Sequence, residues 1–386
     1  MGAARWLLLS LPHAAAVAHQ AHEGSVLKSQ TSDAPTSPGA PRRFTMSYRM
    51  HNKSLACESP GASCPDIVMP IVGFAPAEGT GHPVYMHTSG GGRWFSTQTR
   101  FYPEERMLQE MASRGFVAAM VEYPVVPAEH LICSSSNATT FLTYARMMYG
   151  RQPGSTSALA TLCGHESADC SAGIALLGHS LGGLIATMAP RVTKGITATL
   201  LWGAGSRMAY GYSCCGVFSG DSSCCIGGQP VGGTSIPCMA YADTSPFLDK
   251  SRRRLLIYSG DHEYGDCYYR GSDSPQVGDG SSFACNAPSS SNPAGSLIIS
   301  KRDSGYDCGE SLNCLQADGS GYYIPSLAQV GPNSSGPKPP NGNGHNFHND
   351  WDDGETPNAN WITTTDAWGL IPSCDWLAAT AVRPAA

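Results

Sequence analysis

The 386-residue sequence predicts an α/β protein built on a mostly parallel sheet. Two patterns carry that prediction. Short apolar runs at 116–123, 174–177, 195–202 and 254–260 recur along the chain, separated by helical or irregular stretches, and compact runs of this kind are what strands buried on both faces look like. Residues 102–114 have Pro103 at the start, Met107, Leu108 and Met111 at helical spacing and Gly115 behind them. That helix between two strands makes a right-handed βαβ unit, which requires parallel neighbours.

The first elements are shorter. Residues 44–48 and 67–71 read as antiparallel opening strands, with Cys57 and Cys64 placed to staple the loop between them. Residues 140–149 and 156–162 read as helices, and Cys163 and Cys170 flank the link into the run at 174, where a disulfide would fix the approach. Two long Gly- and Ser-rich insertions, 206–250 and 267–341, carry cysteines and little periodicity. The first suits a disulfide-held cap, and the second suits loops without regular structure. Residues 361–382 read as a closing helix interrupted at Pro372, packed through Trp368, Leu370, Trp376 and Leu377 and tethered by Cys374.

Composition bounds the setting. Charged residues make up 14% of the chain and the formal net charge is -6, so there is no basic footprint for nucleic acid. The trio Arg252, Arg253 and Arg254 reads as a solvated helix end or strand entry rather than a polyanion site. Fifteen cysteines, with vicinal pairs at 214–215 and 224–225, point to disulfides in an oxidising compartment rather than to zinc, whose paired Cys and His spacing is missing. The odd count leaves one thiol free, shared between chains or removed by processing. Residues 1–18 read as a signal peptide, 19–42 as a disordered lead-in and 43–386 as one domain carrying the two insertions. Asn52, Asn137 and Asn333 are glycosylation acceptors compatible with secretion. No stretch has the length of an integral membrane span.

The chemistry is organised around 173–187, where Gly178-His179-Ser180-Leu181-Gly182 follows an apolar run directly. A G-x-S-x-G turn between strand and helix lifts its serine to the tip of a buried strand, which makes Ser180 the candidate nucleophile. Residues 82–92 run from an apolar strand into Ser89-Gly90-Gly91-Gly92. A tetrahedral oxyanion needs two backbone N–H donors, one after the nucleophile and one from such a loop. Leu181 is the first, and Ser89, with Thr88 and Gly90 as neighbours, is the second. After the run at 254–260 come Asp261, Glu263 and Asp266, any of which could hold an imidazole in its productive tautomer. Glu263, three residues beyond Gly260, ranks ahead of Asp261 and then Asp266. Of twelve histidines only His345 and His348 follow these acids. His345 sits behind Gly342-Asn343-Gly344 and ranks ahead of His348. A competing reading has His345, His348, Asp350 and Asp352 bind a metal.

Together the 178–182 turn, the loop at 87–92, the acid after 255–258 and the histidine at 344–345 resemble the α/β-hydrolase superfamily over roughly residues 65–380. The glycine-rich elbow and the secretory features are similar to secreted lipases, chlorophyllase-like esterases and polyester hydrolases. The resemblance implies an eight-stranded, mostly parallel sheet with helices on both faces. It also implies a serine, an acid and a histidine at the carboxyl ends of the strands. The expected activity is cleavage of small-molecule or lipid esters without a cofactor. The alternatives are a peptidase or amidase on the same scaffold and a non-catalytic binding protein.

Overall fold

The computed structural model describes residues 39–50, 67–90, 102–123, 143–202, 225–226, 229–230, 254–258, 304, 306–325, 348 and 357–379. Its strands are β1 (Arg42–Met50), β2 (Ile67–Ala75), β3 (Val84–Thr88), β4 (Val117–Val121), β5 (Ile174–His179), β6 (Ile196–Trp202), β7 (Cys225–Ile226), β8 (Gln229–Pro230), β9 (Arg254–Tyr258), β10 (Asn313–Leu315) and β11 (Gly321–Tyr323). Its helices are α1 (Tyr102–Ser113), α2 (143–149), α3 (Ala158–Cys163), α4 (Ser180–Thr187), α5 (Ala189–Val192), α6 (Ala359–Thr363) and α7 (Leu370–Ala378).

The main sheet runs β1-β2-β4-β3-β5-β6-β9-β11-β10. Its six central strands, β4 to β11, are parallel throughout. Antiparallel pairs close the two edges, β1 and β2 with β4 on one side and β10 with β11 on the other. The described strands of this sheet number nine, not the expected eight. The last two arise inside 267–341, a stretch expected to lack regular structure. Each is three residues long, too short to show a period in sequence. Gly321 enters β11 at φ 139°, where a side chain would strike the Cys314 carbonyl, and the Cys308–Cys314 disulfide closes the loop that leads into β10. Of the 206–250 insertion only the β7–β8 hairpin is described, and the loop of Cys57 and Cys64 lies outside the described residues.

Successive residues of the central strands enter two different cores, as a period of two demands. Val84 and Met86 of β3, Val117, Ala119 and Val121 of β4, and Ile174 and Leu176 of β5 pack with α2, α3 and α4. Tyr85, Ala118, Met120, Ala175 and Leu177 face the other way, against Met107, Leu108 and Met111 of α1, Trp361 of α6 and Leu370, Cys374 and Leu377 of α7. Helices therefore cover both faces, as expected.

Local chemistry sets where these helices begin and end. Glu104 and Glu105 occupy the first turn of α1, where the positive end of the helix dipole favours acids, and the chain leaves through Gly115 at φ 88°. Ser157 caps α3 by accepting the Ala160 N–H at 3.0 Å, and the predicted Cys163–Cys170 disulfide follows at once. Two expectations for the C-terminal segment fail. The break falls at 364–369, not at Pro372, which lies in the first turn of α7 where a missing N–H leaves no helical bond unmade. Cys374 is no tether but a buried free thiol, and burial pushes its titration well above the ordinary range.

Candidate active site

The serine turn is as abrupt as its sequence. His179 ends β5 in extended conformation (φ -107°, ψ 135°), and Ser180 is the first residue of α4 with no loop between. Two glycines make this possible. A methyl group at Gly178 would lie 2.5 Å from Gly183 Cα and 2.8 Å from Ala186 Cβ, so the first turn of α4 can fold back over the strand only if position 178 is bare. A methyl at Gly182 would collide with the carbonyl oxygens of Thr88 and Ser89. The elbow and the loop after β3 thus meet backbone to backbone, with Thr88 paired to Gly178 across the parallel ladder.

The loop after β3 is itself clamped. The Tyr123 hydroxyl donates to the Ser89 carbonyl at 2.7 Å, and Thr88 Oγ1 shares a 2.6 Å hydrogen bond with the Tyr149 hydroxyl. Burial pushes both Tyr149 and Tyr144 up, the latter to about 12, so these phenols stay neutral and keep their donor protons. Ser89 is buried at the end of β3, one residue beyond the strand. This places the residue nominated for the second oxyanion donor against the elbow that carries the first, Leu181.

A buried polar cluster lies on the α1, α6 and α7 face at the carboxyl ends of the strands. His87 of β3, His179 of β5 and Trp202 of β6 share that face by the alternation of the sheet, and His179 and Trp202 are partners in register. His348 closes the cluster. Its ring centroid lies 4.9 Å from that of His179, edge to face, 5.1 Å from Trp202 and 6.1 Å from Trp361. Its Nε2 is 3.7 Å from Glu104 Oε1, and the two side chains are only 1% and 3% exposed.

The structure thus brings the elbow whose backbone carries Ser180 and Leu181 against Ser89, and sets His348 against His179, the residue before the serine. His345, Glu263, Asp261 and Asp266 lie outside the described residues, as do Asp350 and Asp352 of the metal reading. Among the described residues no cluster of three or more His, Cys, Asp or Glu side chains has the form of a metal site. Sequence reasoning missed Glu104. Acids in a first helical turn ordinarily serve the dipole in solvent, and the only signal available was that Pro103 and Met107 bracket it on the apolar side of α1.

No protein-family model matches the sequence, and no curated protein matches it. Solved structures are similar at low identity. The acylaminoacyl peptidase of Pyrococcus horikoshii shares 14% identity over 57% of this chain and 32% of its own, with a TM-score of 0.34. The hyperthermophilic esterase of the archaeon Pyrobaculum calidifontis shares 14% over 56% of this chain and 66% of its own, with a TM-score of 0.33. A fungal esterase from Rhizomucor miehei shares 16% over 57% and 66%, with a TM-score of 0.31. The chain thus spans about a third of the peptidase and about two thirds of each esterase. The sheet order, the parallel centre, the helices on both faces and the β5–α4 elbow fit an α/β-hydrolase architecture.

Proposed function

We propose that the protein is a secreted serine hydrolase that cleaves carboxylic esters. The observation that carries this reading is the junction at Gly182, where the serine-bearing turn and the Thr88–Ser89 backbone touch, with His348 packed on the residue before the serine. Ser180 is the nucleophile. His348 is the imidazole that takes its proton, because among the described residues it is the late histidine that lies beside the elbow; chain order also nominates His345. Chain order nominates Glu263, ahead of Asp261 and Asp266, as the orienting acid.

In acylation the Ser180 hydroxyl proton passes to the imidazole as Oγ bonds to the carbonyl carbon. The oxyanion takes hydrogen bonds from the N–H groups of Leu181 and Ser89. The bond to the leaving alkoxide then breaks, and the imidazolium proton goes to that oxygen. Water repeats the sequence on the acyl-enzyme and releases the acid. Disulfides at Cys163–Cys170 and Cys308–Cys314 support an oxidising compartment and hence export.

Ser180→Ala tests the reading. Turnover of short-chain nitrophenyl esters should fall by roughly 10⁴ or more, the size of effect expected when a serine nucleophile is removed. The thermal midpoint should be unchanged and fluorophosphonate labelling lost. Undiminished turnover by that variant refutes the nucleophile. A parallel panel of anilide substrates separates ester from amide preference.

A further inference from the structure

We infer that Tyr123 and Tyr149 are positioning residues for the proposed hydrolysis, whose buried phenols hold the backbone after β3 in place as the second oxyanion donor. This rests on the hydrolase reading above and deepens it. β3 ends at Thr88, the last of its residues in register with β4 and β5. Ser89 lies one residue beyond that last ladder pair, and Gly90-Gly91-Gly92 follow it in sequence. Glycine leaves the backbone its widest freedom, so a donor at the head of such a run needs fixing from outside. The two phenols grip the chain on either side of the Ser89 N–H. Tyr149, at the end of α2, shares a 2.6 Å hydrogen bond with Thr88 Oγ1. Tyr123, two residues past β4, donates to the Ser89 carbonyl at 2.7 Å. Peptide planarity then limits where an N–H between two held points can aim. The Thr88 and Ser89 carbonyls are also the atoms that meet Gly182, so the phenols grip the stretch that touches the elbow.

Both phenols are themselves anchored. Tyr123 and Tyr149 are wholly buried in the core between the sheet and α2, and the Tyr123 ring meets Tyr144 edge to face with centroids 6.1 Å apart. Hydrogen bonds made away from water are electrostatically stronger than exposed ones. Burial pushes the titration of Tyr149 up, so its bond to Thr88 persists wherever a catalytic imidazole changes charge. The consequence is kinetic. Donors aimed in advance at developing negative charge lower the barrier because nothing has to reorganise during reaction. The neutral ester carbonyl gains far less from them, so loosening the grip should appear in kcat and leave KM almost alone.

The test uses Tyr123→Phe and Tyr149→Phe, which remove one hydroxyl each and keep the ring, and Thr88→Val, which removes the Tyr149 bond from its other end. Tyr322→Phe is the control, because that buried phenol also donates to a backbone carbonyl, that of Ser311 at 3.1 Å, but beside the opposite edge of the sheet. kcat and KM for a short-chain nitrophenyl ester are measured per active site, counted by complete fluorophosphonate labelling. Each of the three loop variants is expected to lower kcat by roughly 5- to 50-fold, part of the roughly 10²- to 10³-fold that loss of a whole donor costs. KM should stay within about twofold. Affinity for an aryl boronic acid, which imitates the tetrahedral intermediate, should fall in step with kcat. Tyr322→Phe should lose thermal stability and keep its kcat, as would all four variants if the phenols served stability alone.

Folded Tyr123→Phe and Tyr149→Phe variants with wild-type kcat overturn the inference. So does a Tyr322→Phe variant whose kcat falls as far as theirs. If neither loop tyrosine variant folds, Thr88→Val decides: a wild-type kcat overturns the inference and a reduced kcat at unchanged KM supports it. Ser180→Ala separates the two levels. If that variant keeps its activity, the hydrolase reading fails and takes the inference with it, whereas its inactivity beside unaffected tyrosine variants removes only the role of the phenols.

Discussion

Gly182 shows how one missing methyl group holds a site together. Its Cα lies against the Thr88 and Ser89 carbonyls, so Gly182→Ala must push α4 away from the loop after β3. Overpacking of this kind costs about 1–3 kcal/mol, and the displaced oxyanion donors should lower turnover of nitrophenyl esters by about tenfold or more. Both a lowered thermal midpoint and the loss of rate are expected; a fully active Gly182→Ala would mean that the two backbones need not touch. Cys374 shows the opposite effect of burial. Enclosed by the core and with its thiol titrating far above neutral, it should resist iodoacetamide in the folded protein and react once denatured. Peptide mapping after alkylation reads this directly, and rapid native labelling of Cys374 would contradict its burial.

The Cys163–Cys170 bridge ties the end of α3 to the entry of β5, seven residues on. A loop of that size removes about 2–3 kcal/mol of chain entropy from the unfolded state. Replacing both cysteines by serine should therefore lower the thermal midpoint by roughly 2–4 °C in a chain of this size, while the elbow, built on the ladder with β3 and β6, keeps the turnover expected of the proposed esterase. Loss of activity at unchanged stability would show that the bridge sets the strand's position, not only its approach. Pro372 illustrates why element boundaries were harder to read than elements. In sequence a proline inside an apolar run signals a break, but three residues into α7 its ring occupies a position that forms no helical N–H bond.

Most of the parallel sheet and both faces of helices were readable because β4, β5, β6 and β9 are continuous apolar runs and α1 shows clean helical spacing. The three-residue strands β10 and β11 carry no period, and what makes them strands is pairing with β9 and a bridged turn, a contact made only after the chain has returned to the sheet. The site divides in the same way. Ser180, Leu181 and Ser89 sit in local glycine patterns whose geometry is fixed within a few residues, so the sequence could nominate them. Glu104 becomes notable only through its approach to His348, far away in the sequence, and no local pattern records a meeting over that separation.

Between β6 and β9, which lie side by side and parallel, the chain spends residues 203–253 on a crossover that a dozen or so residues could make. That excursion departs from Trp202, at the rim occupied by His179, whereas the elbow is locked from below by Gly178 and from the side by Gly182. Under the proposed esterase reading, replacing residues between Trp202 and Arg254 is expected to alter which esters are turned over while Gly178 and Gly182 keep the elbow's backbone in place, and a panel of nitrophenyl esters of different acyl length reads this out.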